Sequence, residues 1–429
     1  MDLRSRLRLP ENIVIKEKDG KFLALNPNVP SWLLTNQVGV LILRLLDGSQ
    51  SLGRVLQQVQ QIDPLVTEAD FLEFMVSARK ARLFETGGLD LVAPRFPLRA
   101  VYLNVTEACN LRCSYCYAEE RQKSPKDKNL QLDDYRMLLD GVRSLSEDVT
   151  VHFTGGEPLK FPSLFDLARY SRSLGFRTFL LTNGTLIRPD NVAEIADLFG
   201  DIKVSLDGAS AAVNDATRGE GSFGAITAGL ALLDEIGKPY RITMTVTRRN
   251  LGDIANMVKK FGSRLNLSPY FPKKEETLNR DLAISGSEYF EAMRQVVGVN
   301  PYSEIGSLVA ANLDNRTIQR CSIADGTLSV AANGDVYPCQ LLHFDEFNAG
   351  NIRETPIEEV YRQSPVLQRL REHTVDKIQG CRECAIALLC GGGCIARHYY
   401  ENGTINVAGA FCEYEQLAIP DALIDLYQL

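Results

Sequence analysis

Three cysteines, Cys109, Cys113 and Cys116, fall within the short segment TEACNLRCSYCYAEE at residues 106–120. Thiolates bind zinc and iron, but a structural zinc site is closed by four ligands, and no fourth Cys or His lies near this segment. Three thiolates instead suit an iron–sulfur cluster in which one iron stays free to bind another molecule through N and O atoms. The spacing therefore predicts a metal centre with an open coordination position.

The other seven cysteines all lie beyond residue 320, so a second group of sites is expected. Gly334 and Cys339 form a GxxxxC motif, and residues 381–394 read CxxCxxxxxCxxxC. A zinc ribbon would account for four of these cysteines, but seven is the wrong number for one zinc site. Five disulfides are the alternative for the ten cysteines, and a reducing compartment disfavours them.

Composition restricts the class of protein. The chain has 429 residues, enough for two or three domains, and its 45% apolar and 24% charged residues are typical of soluble globular proteins. A net charge of -7 creates no field that would attract nucleic acid or an anionic membrane. Neither a signal peptide nor an apolar run of eighteen residues is present. We therefore expect a cytoplasmic protein with no nucleic-acid or membrane partner.

The cysteine triplet must be positioned by the elements around it. Between residues 99 and 272, helical segments alternate with six strand-like runs: RAVYLNVT, DVTVHFTGG, RTFLLTNG, DIKVSLDG, YRITMTVTR and RLNLSPYF. Six βα repeats predict a parallel sheet built by right-handed crossovers, either a barrel or a partial barrel, with a doubly wound open sheet as the alternative. The triplet follows the first strand, at the edge where parallel α/β folds place their chemistry.

Two further units flank this region, and we divide the chain at 1–87, 95–305 and 306–429. In the first, IVIKEK and KFLAL flank Asp19-Gly20, which predicts a tight hairpin, and about three helices follow, one of them capped by Thr67 and Asp70. This unit has no Cys or His, so catalysis is not expected there. The last unit is rich in Gly and Cys and is expected to depend on bound metal for its order.

The triplet with Tyr115 reads CxxxCxΦC, where Φ is aromatic or apolar, and so resembles the radical S-adenosylmethionine (radical SAM) superfamily. The resemblance implies an α/β fold with a partial (β/α)6 TIM-type barrel. It also implies that Cys109, Cys113 and Cys116 hold a [4Fe–4S] cluster whose free iron chelates S-adenosylmethionine. One electron from that cluster would cleave the cofactor to a 5′-deoxyadenosyl radical, which takes a hydrogen atom from the substrate.

The family pattern also implies a set of cofactor contacts. TGGEPL at residues 154–159, TNG at 182–184 and SLDG at 205–208 each end a predicted strand, and an arginine follows the last of them. By resemblance the cofactor-binding residues are Tyr115, Gly155, Gly156, Glu157, Asn183, Ser205 and Arg218. A tight strand-to-helix turn is the alternative for TGGEP, although it does not explain the Glu, and an ordinary loop residue is the alternative for the others.

The seven late cysteines resemble the SPASM extension, which implies two auxiliary [4Fe–4S] clusters and three clusters in all. By the family pattern the inner cluster is bound by Cys321, Cys339 and Cys394, and the outer one by Cys381, Cys384, Cys390 and Cys412. Every cysteine in the chain is then used. The inner cluster is one thiolate short, so its fourth position is open to a substrate thiolate or to a ligand other than cysteine.

The first 87 residues resemble the winged-helix-like leader-peptide recognition domain of enzymes that modify ribosomally made peptides, of the sactipeptide and ranthipeptide type. That resemblance implies a precursor peptide whose leader adds a strand to the sheet of this unit; a docking unit without a ligand is the alternative. An external one-electron donor, such as a flavodoxin or ferredoxin, is also implied.

The resulting hypothesis is a maturase that joins a Cys sulfur to a carbon of another residue in a precursor peptide. A carbon–carbon crosslink or another oxidation is its nearest rival. Sulfatase-type formylglycine formation is disfavoured because that group carries an Asp where this chain has Gln340. A non-catalytic iron–sulfur electron-transfer protein is the alternative from another class. The four histidines are expected to be structural, with His152 on a predicted strand from which it could face the cofactor.

Overall fold

The computed structural model describes residues 2–86, 91–116, 129–272, 280–295 and 318–426. The divisions at residue 87 and at residues 305 and 306 fall outside these ranges. None of the helices in the described ranges combines the length and the hydropathy needed to cross a membrane.

The N-terminal unit is a three-stranded antiparallel sheet followed by three helices. The strands are β1 (Val14–Lys18), β2 (Lys21–Asn26) and β3 (Ser31–Thr35), in that order across the sheet, and the helices are α1 (Gln37–Leu45), α2 (Leu52–Ile62) and α3 (Glu68–Lys80). The predicted hairpin is confirmed, because Asp19 and Gly20 connect β1 to β2 with φ of 50° and 75°. Thr67 and Asp70 form the expected capping box of α3. The third strand was not predicted, and the likeness to a winged helix stays a prediction.

Six parallel strands form the central sheet in chain order: β4 (Ala100–Thr106), β5 (Thr150–Gly155), β6 (Arg177–Thr182), β7 (Asp201–Ser205), β8 (Arg241–Val246) and β9 (Leu265–Pro269). The connecting helices are α4 (Leu132–Leu145), α5 (Leu164–Ser173), α6 (Val192–Leu198), α7 (Ala211–Arg218), α8 (Ser222–Glu235) and α9 (Ile254–Phe261). A doubly wound sheet would reverse its strand order at a switch point, and this one does not. The partial (β/α)6 barrel is therefore confirmed.

The C-terminal region extends the same sheet. Strand β10 (Thr327–Val330) pairs parallel with β4, and β11 (Asp335–Tyr337) and β12 (Gly350–Asn351) continue it antiparallel, which gives a nine-stranded sheet. The sequence did not predict this extension. Since β4 leads into the cysteine triplet, the C-terminal region is attached to the strand that carries the first metal centre.

The other helices of the described ranges lie outside the βα repeats. They are α10 (Gly286–Arg294), α11 (Ile357–Gln363), α12 (Pro365–Arg371), α13 (Ala387–Cys390), α14 (Ile395–Asn402) and α15 (Cys412–Leu426). Single 3-10 turns occupy Pro158–Lys160, Leu251–Asp253, Gly262–Arg264, Arg280–Leu282, Asp345–Phe347 and Val375–Lys377.

The N-terminal sheet is docked on the C-terminal region. Leu23 and Leu25 of β2 are buried against apolar side chains of α15 and against Ile386 and Leu389. At the edge of this contact Lys18 Nζ lies 2.9 Å from Asp421 Oδ1 and 2.7 Å from Asp425 Oδ1. The first and last parts of the chain therefore share one small core, separate from the core of the N-terminal helices.

Candidate functional site

A cavity of about 330 Å³ opens at the carboxyl ends of the parallel strands. Its lining includes nine of the ten residues that the sequence assigned to the first cluster and its cofactor: Cys109, Cys113, Tyr115, Cys116, Gly155, Gly156, Asn183, Ser205 and Arg218. Parallel strands end at one edge of the sheet, which explains why residues from five separate segments meet here. Only Glu157 of that set is absent from the lining.

The three cysteines sit in a loop held by its own backbone and by two neighbouring segments. The Cys116 amide donates to the Cys113 carbonyl at 3.1 Å, and the Ser114 amide donates to the Thr217 carbonyl at 2.9 Å. Burial raises the pKa of Cys113 to about 11, so without a bound cation its thiol stays protonated at neutral pH. A cysteine binds a metal as the thiolate, so metal binding at this loop would release protons.

Gly155 and Gly156 allow the end of β5 to lie directly against the root of this loop. Gly155 has a φ of 125°, and the Gly156 and Glu157 amides donate to the Thr106 and Ala108 carbonyls at 2.7 and 2.8 Å. A Cβ on Gly156 would lie 2.4 Å from the Ala108 carbonyl oxygen. The glycines are thus required for a close backbone approach, and they also border the cavity.

Gly156→Ala is expected to push the Thr106–Ala108 backbone away and so displace Cys109, because a backbone oxygen cannot move aside as a side chain can. We expect a loss of about 1–3 kcal/mol of stability, as for other overpacked sites, and a lower iron content after reconstitution. Thermal unfolding and iron analysis measure both. Gly224→Ala is the matched control, since a Cβ at Gly224 in α8 meets nothing within 4 Å. Equal unfolding midpoints and equal iron in the two variants would contradict this reading.

Glu157 lies behind the residues that line the cavity. It is fully buried, and its carboxylate accepts hydrogen bonds from the Thr182 hydroxyl at 2.7 Å and from the Asn183 amide at 2.8 Å. Burial raises its pKa to about 7 despite these bonds. The Asn183 side chain in turn donates to Asn110 Oδ1 at 3.0 Å and lies 3.8 Å from Cys109 Sγ. Glu157 therefore positions Asn183, which positions the first cysteine.

Asp207, which was not among the predicted site residues, links the cysteine loop to Arg218. It is fully buried and lies 2.8 Å from Arg218 Nε, and it accepts hydrogen bonds from the Tyr115 hydroxyl and, at 2.9 Å, from the Thr245 amide. Burial alone would lower the pKa of Arg218, but Asp207 outweighs it and the guanidinium stays charged. The sequence feature that could have identified Asp207 is an acidic residue in SLDG, just beyond a strand end and eleven positions before an arginine.

The seven late cysteines form two groups. Four of them line a second cavity together with Glu415: Cys381, Cys384, Cys390 and Cys412. The remaining three, Cys321, Cys339 and Cys394, are partly buried. Burial, and after it the negative charge of a Cys394 thiolate, raises the pKa of Cys321 to about 11. Four of the seven thus share one cavity, and the assignment of the two groups to an outer and an inner cluster stays a prediction.

The chemistry of these donor sets, three or four thiols each, fits iron–sulfur clusters. Within the described ranges, no three His, Cys, Asp or Glu side chains converge on a point that could hold one metal ion. A single zinc would need its thiolates about 2.3 Å from one centre. In a cluster each cysteine binds a different iron, so grouped but separated thiols are what such a cofactor requires.

The C-terminal region supplies one wall of the first cavity. Gln340 and Leu341, which follow Cys339, line it, as do Arg397 and Tyr400 of α14, the helix that begins after Cys394. Tyr270 and Phe271, beyond β9, complete this wall. The sequence did not predict these contacts. They place the neighbourhood of the inner cysteine set on the same cavity as the Cys109 triplet.

His152 does not border this cavity. Its ring lies between those of Tyr102 and Phe179, at centroid distances of 4.3 and 4.9 Å, and burial lowers its pKa to about 4. It is therefore a neutral packing residue and does not face the cofactor site. His398 is also structural: its Nε2 lies 2.7 Å from the Gly392 carbonyl oxygen, and its Nδ1 accepts from the Gly409 amide.

Comparisons with known families cover the barrel and the C-terminal region separately. Residues 103–261 match the radical SAM superfamily, and residues 321–385 match SPASM, an iron–sulfur cluster-binding domain. The first match runs from β4 to the end of α9, and the second begins at Cys321.

Curated relatives include enzymes with two different names. The AdoMet-dependent heme synthase of Methanosarcina barkeri is 29% identical over 347 residues, covering 74% of this chain and 96% of that protein. The mycofactocin maturase MftC of Mycobacterium ulcerans is 27% identical over 317 residues, covering 69% of this chain and 82% of that protein.

A solved structure extends the fold match over nearly the whole chain. Streptococcus suis SuiB bound to its precursor peptide SuiA superposes with a TM-score of 0.58 at 15% identity, covering 95% of this chain and 99% of that one. A match of that extent includes most of the N-terminal unit, because residues beyond 87 are only about four fifths of the chain.

Proposed function

We propose, from the matches to the radical SAM superfamily at residues 103–261 and to the SPASM domain at residues 321–385, that the protein is a maturase. It would install a thioether crosslink, Cys sulfur to carbon, in a ribosomally made precursor peptide. The observation that carries the proposal is the shared cavity. Its lining includes the Cys109 triplet on one side and, on the other, residues adjoining Cys339 and Cys394. A substrate in this cavity would contact both metal regions.

In this proposal the ten cysteines hold three [4Fe–4S] clusters. The triplet Cys109, Cys113 and Cys116 holds the catalytic cluster; Cys321, Cys339 and Cys394 hold the inner auxiliary one; and Cys381, Cys384, Cys390 and Cys412 hold the outer one. Tyr115, Gly155, Gly156, Asn183, Ser205 and Arg218 would border S-adenosylmethionine, with Glu157 acting through Asn183. An external one-electron donor, such as a flavodoxin or ferredoxin, is needed to reduce the catalytic cluster.

The thioether is favoured by the count of cysteines at the inner site. Three thiolates leave one iron without a cysteine ligand, and a substrate Cys bound there would be deprotonated by the metal. Crosslinking removes two hydrogen atoms from the peptide. When bound, the cofactor would supply the radical that takes one of these hydrogen atoms. A cluster would accept the electron of the second hydrogen atom, and its proton would leave to solvent. A carbon–carbon crosslink is the rival within the same chemistry.

The N-terminal unit, residues 1–87, is proposed to bind the leader of the precursor, with the barrel at 95–305 and the SPASM region at 306–429 acting on the rest. SuiB, whose fold match includes most of this unit, was solved with a precursor peptide. The docking of Leu23 and Leu25 on α15 would hold a leader bound at this sheet near the auxiliary region.

Heme synthesis is the second candidate, since relatives at 28–29% identity carry that name. Against it, the relative from Methanosarcina barkeri leaves about a quarter of this chain unmatched, whereas the fold match to SuiB covers 95% of this chain. In a maturase, the additional part of the chain would bind the leader of the precursor peptide. Formylglycine formation is disfavoured by Gln340, whose amide cannot act as a base at the position after Cys339.

The test is to co-express the protein with the short, Cys-containing reading frame nearest its gene and to measure the intact mass of that peptide before and after thiol alkylation. Loss of two hydrogens together with loss of one alkylatable thiol is expected. Loss of two hydrogens with every thiol still reactive would move the bond to carbon. An unchanged mass, with heme formed under a strong reductant, would overturn the proposal in favour of the second candidate. Co-expression of Cys113→Ala provides the matched control.

A further inference from the structure

The C-terminal wall of the cavity presents two polar side chains, Arg397 and Gln340, to which neither the motifs nor the comparisons assign a role. We infer that this wall binds the backbone of the precursor peptide, with Arg397 donating to a carbonyl oxygen and Gln340 pairing with the amide group beside it. This inference rests on the proposed function and names the part of the substrate that the cavity recognises.

Arg397 is held rigidly before any ligand arrives. Its Cζ lies 4.7 Å from the ring centre of Phe271 and 4.8 Å from that of Phe411, and its Nη1 lies 2.8 Å from Glu415 Oε1. The side chains of Arg397 and Glu415 are only 10% and 9% exposed. The centres of these two rings are only 5.0 Å apart, so both rings lie on one side of the guanidinium. Since Glu415 holds one end, a ligand reaches the free edge of Arg397 from the remaining side.

The edge of Arg397 has donors to spare. A guanidinium carries five N–H groups, and in the described part of the chain the only acceptor found for them is Glu415, while Nε is buried with no hydrogen-bond partner. A buried N–H without a partner costs about 1–3 kcal/mol. Arg397 therefore retains the capacity to donate to an oxygen brought in by the substrate.

The charges near this wall favour a neutral acceptor over a carboxylate. Each cation in the described lining already has a buried carboxylate beside it, Glu415 for Arg397 and Asp207 for Arg218. A substrate carboxylate at Arg397 would bring a second negative charge close to Glu415 at a desolvated site, which is unfavourable. A peptide carbonyl accepts the same hydrogen bond without adding charge.

Gln340 complements this selection. It directly follows Cys339, is partly buried, and makes no side-chain hydrogen bond to any described residue. Its amide offers a donor and an acceptor, as a peptide group does. A wall with a rigid donor and a free primary amide matches a backbone amide. Heme synthesis, the second candidate, would instead bring in a tetrapyrrole, whose carboxylates would need unpaired cations.

The experiment uses the anaerobically reconstituted full chain with S-adenosylmethionine and a synthetic precursor, in which single backbone amides of the core are replaced one at a time by esters. An ester is a weaker acceptor and lacks the N–H. Gln340→Met is expected to raise the Kd of the all-amide peptide about 2- to 10-fold, and Arg397→Lys, which keeps the charge beside Glu415, roughly tenfold or more. At one amide position the ester should weaken binding to the unaltered enzyme but not to the variant.

Gln363→Met, at an exposed position on α11, is the matched control and should keep full sensitivity to every ester. If the unaltered enzyme modifies the peptide while Gln340→Met and Arg397→Lys keep its sensitivity at every position, the inference is wrong and the proposed function stands. If the unaltered enzyme leaves the peptide unmodified, both are wrong. Because the Gln340 side chain makes no hydrogen bond to any described residue, its variant decides the matter even where Arg397→Lys fails to fold.

Discussion

Cys113→Ala is expected to abolish reductive cleavage of S-adenosylmethionine, whereas Cys384→Ala should keep part of that cleavage and lose the peptide crosslink. The two cysteines line different cavities, Cys113 the one at the strand ends and Cys384 the one bordered by Glu415. Removing Cys113 leaves two thiolates where the catalytic cluster needs three. Removing Cys384 would alter only the proposed outer auxiliary site.

The measurement is the yield of 5′-deoxyadenosine under a strong reductant, with and without peptide, beside the intact mass of the peptide. The iron content of each variant reports which cluster was lost. Equal and full cleavage in both variants would overturn the assignment of the triplet to the cofactor. Loss of all cleavage in Cys384→Ala, with the catalytic cluster still present by spectroscopy, would show that the outer site supports cofactor cleavage itself.

Asp207→Ala should have the largest effect on stability of any single change at the site. Asp207 and Arg218 are 0% and 6% exposed at their side chains and lie 2.8 Å apart, so removing the carboxylate leaves a buried guanidinium without its counter-charge. Breaking a buried pair in this way costs about 3–5 kcal/mol. Tyr115 and the Thr245 amide lose their acceptor as well. Cofactor cleavage is expected to fall with the loss of order in the cysteine loop.

The matched control is Asp201→Ala, at the first residue of β7, the strand that precedes Asp207. Asp201 pairs with Arg241 at the same distance of 2.8 Å, but its side chain is 58% exposed, and an exposed pair of this kind contributes about 0–1 kcal/mol. Thermal unfolding of the reconstituted variants compares the two. The double variant Asp207→Asn with Arg218→Gln should recover stability without recovering cleavage, since it removes both buried charges. Similar unfolding midpoints for Asp207→Ala and Asp201→Ala would refute the role given to Asp207.

Local chemistry made several features predictable from sequence. The Asp19-Gly20 hairpin follows from the positive φ that its turn requires, and the capping box at Thr67 and Asp70 follows from side-chain reach within one helical turn. The six βα repeats follow from apolar periodicity and connection length, and they imply that the strand ends, with the Cys109 loop, share one edge. Each of these depends on residues close together in the chain.

Other parts of the site depend on contacts that no local spacing encodes. Strand β10 joins the barrel beside β4, where Asn104 Nδ2 donates to Ser329 Oγ at 3.1 Å across 225 residues. The docking of β2 on α15 likewise brings together the two ends of the chain. These contacts join segments that are far apart in the chain. Complementary surfaces and buried charges therefore determine which segments pair.

The sequence by itself predicted how the cysteines group, and it determined where the strands lie and that their carboxyl ends share one edge of the sheet, because ligand spacing, periodicity and turn residues act over short stretches of chain. Tertiary structure alone decided that Asp207 holds Arg218 and Tyr115, that Glu157 works from behind the wall, and that Arg397 and Gln340 face the same cavity as the Cys109 triplet. Burial and the pairing of buried charge are properties of the packed molecule, and they appear only when distant segments meet.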